Sequence, residues 1–175
     1  MTSNKPLILI INDDGIASNG IRFLINVMRD IGEVFVVAPH SNQSAKSHSM
    51  TLDKDISIEK TDSILNHFTC SGTPVDCVKI AINKILPRLP DVCVSGVNHG
   101  SNHSINALYS GTLHGAMEGT IKGVPSISFS HLSYSYHVDL MPFDKIVKDL
   151  VLKILKNGLP FGVTLNVNLP SIPFH

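Results

Sequence analysis

The chain has 175 residues, 43% hydrophobic and 16% charged, with 14 Lys plus Arg against 14 Asp plus Glu. That length suits one domain with a core of ordinary size, and the composition is globular rather than disordered. Zero formal net charge removes the basic field that drives binding to long nucleic acids, while a small phosphorylated ligand still fits a locally cationic pocket.

Leu7–Ile11 is a short, unbroken apolar run, which predicts a strand buried on both faces. Asn12-Asp13-Asp14-Gly15 turns sharply after it. Ile21, Leu24, Ile25 and Met28 then recur at helical spacing, and Gly32 is expected to close that helix. Residues 33–38 give a second buried strand, stopped by Pro39. The polar stretch 40–60 breaks the rhythm, and the alternation of Ile56 and Ile58 predicts a strand or hairpin excursion. Thr73 suits an N-cap and Pro74 the first position of a helix carrying Val75, Val78, Ile80, Ala81 and Ile85. A third strand is expected over 91–95, then a Gly/Asn/Ser-rich loop and a helix beginning near Ser110. Residues 124–129 read as a strand, 143–155 as an amphipathic helix and 163–167 as a further strand. The alternation of strands and helices predicts an α/β chain with a mainly parallel sheet and helices on both faces.

Three cysteines without a CxxC pair (Cys70, Cys77, Cys93) predict reduced thiols in a cytoplasmic protein, with Cys77 and Cys93 packed in the core. The apolar run over 6–11 is too short for a signal sequence. No stretch reaches the ~20 apolar residues of a membrane span.

In open parallel sheets, ligands bind beyond the carboxyl ends of the strands. Asn12-Asp13-Asp14-Gly15 follows the first strand, Asn42-Gln43-Ser44 the second, and Ser95-Gly96-Val97-Asn98-His99-Gly100 the third. Ser110-Gly111-Thr112 opens the next helix. None of these clusters contains Lys or Arg, so neighbouring aspartates there call for a counter-charge. A divalent cation with oxygen ligands, Mg²⁺, Mn²⁺ or Ca²⁺ rather than Zn²⁺, answers that need. The alternative is an acidic turn in which one Asp caps the helix and the other is solvated. Ser110-Gly111-Thr112 offers hydroxyls and free N–H groups at a helix start, as an anion site or as a plain N-cap. A cation site beside an anion site fits a phosphate ester.

Competing motifs are missing: no GxGxxG follows the first strand, and neither GxxxxGK[ST] nor GxSxG occurs. His99 and His103 share an i,i+4 spacing without the Glu of HExxH, which argues against zinc. His48, His114 and His131 are expected in loops or at the surface, with His48 near the site.

Asn12-Asp13-Asp14-Gly15, Ala38-Pro39 with Gln43-Ser44, and Gly72-Thr73-Pro74-Val75-Asp76-Cys77-Val78 together resemble the SurE (survival protein E) family of 5′/3′-nucleotidases. So do Pro90-Asp91 with Ser95-Gly96-Val97-Asn98-His99-Gly100, Tyr109-Ser110-Gly111-Thr112 with Ala116-Met117-Glu118-Gly119, and Asn166-Val167-Asn168-Leu169-Pro170. The resemblance implies a Rossmann-like three-layer sandwich with a small hairpin excursion. It also implies hydrolysis of nucleoside 5′- and 3′-monophosphates, and of short polyphosphate in some members, with one divalent metal ion (Mg²⁺ or Mn²⁺). By motif position the metal ligands are Asp13, Asp14, Ser44 and Asn98, and the phosphate is lined by Asn98, Gly100, Ser110, Gly111 and Thr112. Asp13 and Asp14 are the expected catalytic pair, Asp14 being the favoured general base. Ile11 stands where the family often has a small hydroxyl residue, and its side chain is expected to point into the core. Residues 1–175 read as a single SurE-like domain without the family's C-terminal extension, which builds homodimers or homotetramers. Two other classes compete: a non-catalytic nucleotide- or metal-binding module, and a nicotinamide-dependent oxidoreductase, which lacks its glycine fingerprint.

Overall fold

The computed structural model describes residues 5–61 and 64–171. The chain-terminal residues Ile172, Pro173, Phe174 and His175 lie outside the described residues.

Seven strands form one sheet: β1 (Leu7–Ile11), β2 (Glu33–Pro39), β3 (Ile58–Lys60), β4 (His67–Cys70), β5 (Val92–His99), β6 (Ser126–His131) and β7 (Thr164–Leu169). Their order across the sheet is β3-β4-β2-β1-β5-β6-β7, and only β3 runs antiparallel, against β4. The helices are α1 (Asn19–Arg29), α2 (Pro74–Ile80), the short α3 (Asn106–Tyr109), α4 (Gly111–Ile121) and α5 (Asp144–Asn157). α2 continues as a π-helical segment over Ala81–Ile85. The result is a Rossmann-like three-layer α/β sandwich.

The period of two along β1 builds the two cores. Ile8 and Ile10 pack with Ile21, Leu24 and Met28 of α1 and Val147 and Val151 of α5. Leu9 and Ile11 turn to the other face and pack with Cys77 and Val78 of α2. All four strand residues are fully buried, each contributing ~2 kcal/mol by loss of apolar surface to water. Ile11 points into this core as expected, with its Cδ1 so close to Gly115 that a β-carbon there would lie 2.6 Å away.

α1 begins where Ser18 accepts the Ile21 N–H, and Gly32 donates to Met28 O at its end. Gly32 is required for close approach rather than for a left-handed cap: a β-carbon there would lie 2.3 Å from Pro6 O. Thr73 and Asp76 cap α2 reciprocally, with Pro74 in its first turn. Of the excursion expected over 40–60, only β3 forms there, and it pairs with β4 beyond it.

Three expectations change. β5 runs on through Ser95 to His99, where a loop was predicted, and absorbs the glycine in an irregularity of its pairing with β6 between Ser95 and Asn98. β6 likewise extends to His131, so that residue is buried, not at the surface. His131 Nδ1 accepts the Ser133 N–H at 3.1 Å, and its ring meets Phe143 edge-on. β4 and α3 had no counterpart in the sequence reading.

The chain winds outward from β1 through β2 and β4, then returns to lay β5 on the other side of β1. β1 and β5 therefore flank the switch point, where diverging connections open a crevice beyond the strand ends. No helix among the described residues is long and apolar enough to cross a membrane.

Candidate active site

Asp13 and Asp14 leave the end of β1 in a turn fixed by its own first residue. Asn12 donates Nδ2 to Gly15 O (2.9 Å) and Ser18 Oγ (2.8 Å) and accepts the Gly15 N–H on Oδ1 (3.2 Å). This Asx-type closure sets the direction of both carboxylates.

Asp13 is buried at 3% exposure and meets the start of α4. Thr112 donates its hydroxyl to Asp13 Oδ1. The backbone N–H groups of Gly111 and Thr112 also face the carboxylate and favour its charged form, yet burial outweighs them and pushes its pKa up. Gly111 permits the approach, since a β-carbon there would lie 2.8 Å from Asp13 Cβ. Asp14 is pushed up to about 7, first by burial and then by the Asp13 charge beside it, while the backbone N–H of His99 opposes the rise. Its Oδ2 is buried with no hydrogen-bond partner. Neither aspartate takes part in an ion pair among the described residues.

A cavity of about 250 Å³ opens over Asp13, lined also by Ser44, Asn98, Gly100, Ser110 and Tyr134 among others, with Asp14 next to Asp13 but not on the wall. Ser44 comes from the loop after β2, which is tied to the aspartates by the Gln43 N–H on Asp13 O at 2.7 Å. Asn98, at the end of β5, donates Nδ2 to Gly100 O at 2.9 Å, which leaves its amide oxygen for the cavity. Ser110 accepts the Leu113 N–H at 2.9 Å as the cap of α4, so its own proton is free to donate. The fold thus brings together most of the residues singled out in the sequence. Asp14, Gly111 and Thr112 are not on the cavity wall: Gly111 and Thr112 serve Asp13, whereas Ser44, Asn98, Gly100 and Ser110 line the cavity with it.

Of the aromatic wall residues, Tyr134 carried no sequence signal of its own, whereas Tyr109 and His99 stood in sequence motifs. Tyr109 and Tyr134 line the cavity and are 57% and 71% exposed. Tyr134 lies in the loop after β6, and the rule that placed the other clusters at strand ends would have reached it. His99 also lines the cavity and packs on Tyr136 with centroids 4.8 Å apart. His103 is exposed and contacts Ser104 Oγ at 3.2 Å. Asn102 is buried, donating to Ser130 Oγ at 2.7 Å and taking Asn166 Nδ2 on its carbonyl at 2.6 Å.

No three His, Cys, Asp or Glu side chains gather into a metal cage among the described residues. A cation would lean on Asp13 and Asp14 and draw neutral oxygens from Ser44 and Asn98. The orphaned Asp14 Oδ2 fits that role, because a buried carboxylate oxygen without a donor is costly until a cation meets it.

The family model described as Survival protein SurE matches residues 8–175. The "5'-nucleotidase SurE" of Flavobacterium johnsoniae is 52% identical over 175 residues, covering 98% of this chain and 68% of the relative. That of Christiangramia forsetii is 51% identical over 176 residues, with the same coverage. Among solved structures, the SurE protein from Aquifex aeolicus matches with a TM-score of 0.89 at 39% identity, over 96% of this chain and 67% of that one. With its sequence matched from β1 onward and its sheet superposed on a solved member, the chain belongs to the SurE survival-protein family.

Proposed function

We propose that the chain is a divalent-metal-dependent phosphomonoesterase that hydrolyses nucleoside 5′- and 3′-monophosphates to nucleoside and phosphate. The observation that carries this reading is the Asp13–Asp14 pair at the switch point, with Asp13 buried, Asp14 Oδ2 unpartnered and no cationic side chain paired to either among the described residues. The name shared by the relatives, 5'-nucleotidase SurE, supports it.

Asp13, Asp14, Ser44 and Asn98 would hold Mg²⁺ or Mn²⁺, a hard cation suited to oxygen ligands. Such a cation supplies positive charge against the phosphoryl oxygens and acidifies an attacking water. A carboxylate oxygen that the cation leaves free, on Asp14 rather than on the Thr112-bonded Asp13, would take up the proton of the attacking water as general base. Thr112 and the Gly111 and Thr112 N–H groups hold Asp13 in one orientation. The Ser110 hydroxyl donates to a phosphoryl oxygen at the cavity wall. Tyr109 and Tyr134 offer apolar faces on which a nucleobase can stack. Residues 1–175 are read as one SurE-like unit, and the buried thiols of Cys70, Cys77 and Cys93 suit a cytoplasmic setting.

Phosphate release from nucleoside monophosphates tests the reading. With Mn²⁺ we expect turnover that a chelator abolishes and that Asp13→Asn lowers by at least ~100-fold, the scale of lost transition-state charge stabilisation. Nucleotide binding without release would favour the non-catalytic module, and an active Asp13→Asn would remove the metal role.

A further inference from the structure

Two motif segments of the sequence stand outside the cavity, the one containing Asp76 and the one containing Glu118, and both acids reach the loop that carries Ser44. That loop, residues 40–51, has little apolar anchorage: Ser41, Asn42, Ser44, Ala45 and Lys46 are all exposed. Ala45 and Ser47 sit at φ +60° and +52°. Non-glycine residues reach that region only when their surroundings impose it, at ~1 kcal/mol each. Something must therefore hold the loop in this shape.

Part of the answer is backbone and hydroxyl bonding to Leu108 and Tyr109, where Ser47 donates its Oγ (3.0 Å) and N–H (3.2 Å). The other part is carboxylate. Asp76 takes the Thr51 hydroxyl at 2.7 Å and the Thr51 N–H at 3.2 Å, and Thr73 donates to Ser49 O at 2.7 Å. Glu118, 3% exposed in α4, takes His48 Nε2 at 2.9 Å.

The Glu118 contact differs from the rest. Its carboxylate already has Lys79 at 3.2 Å and Lys122 at 3.8 Å, so His48 is not needed to balance it. A buried ion cluster is seldom the most stable filling of such a space, and an apolar side chain would often serve stability as well. What His48 adds is a link. Its ring stands edge-on to His114, with centroids 5.4 Å apart, and His114 Nδ1 donates to Ser110 O at 2.7 Å. Glu118, His48, His114 and Ser110 thus join the interior of α4 to the Ser44 loop and to the cavity wall. α4 is also the helix whose first turn holds Asp13.

We propose that Glu118 and His48 are positioning residues: a strut that sets the Ser44 loop against Asp13 and Asp14 and so presents Ser44 to the cation. The inference rests on the proposed metal site. It reaches the cation only through the loop, so its signature is metal affinity, with the fold left intact.

The test is Mn²⁺ titration by calorimetry on the full chain, beside thermal unfolding in chelator, for wild type, His48→Ala and His48→Gln. His48→Ala is expected to weaken Mn²⁺ binding ~10-fold, as when an outer partner of a metal ligand is lost. Its unfolding temperature in chelator should stay within ~2 °C of wild type, since His48 touches solvent and Glu118 keeps both lysines. In His48→Gln the amide N–H reaches the same carboxylate and should restore affinity to within ~3-fold, a rescue that simple space-filling would not give. Unchanged affinity in His48→Ala, or no rescue by Gln, overturns the strut and leaves the metal site standing. A wild type that takes up no Mn²⁺ overturns both.

Discussion

Two pairs of carboxylates among the described residues have opposite surroundings, Asp76 with Glu118 and the buried Asp13 with the half-buried Asp14. Asp76 and Glu118 are 4% and 3% exposed, and their oxygens are met by hydroxyls, N–H groups, an imidazole and two lysines. Asp13 and Asp14 lie side by side with the Thr112 hydroxyl on Asp13 Oδ1, backbone N–H groups facing both, no lysine or arginine paired to either among the described residues, and an orphaned Oδ2 on Asp14. Loss of water costs each of them. In the first pair the fold offsets the cost, and in the second it leaves the offset to something the chain does not supply. A satisfied buried acid is architecture, whereas an unsatisfied one marks where a ligand belongs.

Substitution sharpens this contrast because the two pairs respond with opposite signs. Asp76→Ala strips the α2 cap and leaves the Thr51 and Thr73 donors unpaired. It should destabilise the protein by about 3 kcal/mol in urea unfolding, with metal absent or present. A loss under ~1 kcal/mol would show that Asp76 is not structural in this sense.

Asp14→Asn should do the reverse in metal-free protein. The folded-state pKa of Asp14 is raised to about 7 from an ordinary 3.8. The folded protein therefore holds this proton more tightly than the unfolded chain, and the resulting stability is present at low pH and fades as pH rises through about 7. At pH 8 in chelator, Asn removes the ionised group and should stabilise by ~1 kcal/mol, discounted for solvent reaching this half-buried site. At pH 4 the advantage should vanish. Destabilisation at pH 8 would place Asp14 with the architectural pair.

Much of the frame was legible because it depends on local periodicity. The β1 run, the α1 spacing and the Thr73-Pro74 helix start are each written within a dozen residues, and each formed where expected. β4 was not, since His67-Phe68-Thr69-Cys70 has neither an apolar run nor a strict alternation, and its strand state comes from pairing with β2 and β3. Ser95-Gly96-Val97-Asn98-His99 looks like a loop by composition, but β6 beside it holds it in the sheet. The polar clusters of the site could be placed from the sequence because strand ends share one edge. Which way each group points could not, as it depends on how α4 meets β1. Thr112 turned to Asp13 for that reason. Glu118 was readable as part of a motif, but its partner His48 lies 70 residues earlier in the chain.

The most direct test of the whole account is calorimetric titration of the wild-type chain and Asp13→Asn with Mn²⁺ at neutral pH. The account predicts one equivalent bound per chain and none detectable in the variant, because the cation is what completes this pair of acids. Equal binding by both, or none by the wild type, would contradict it.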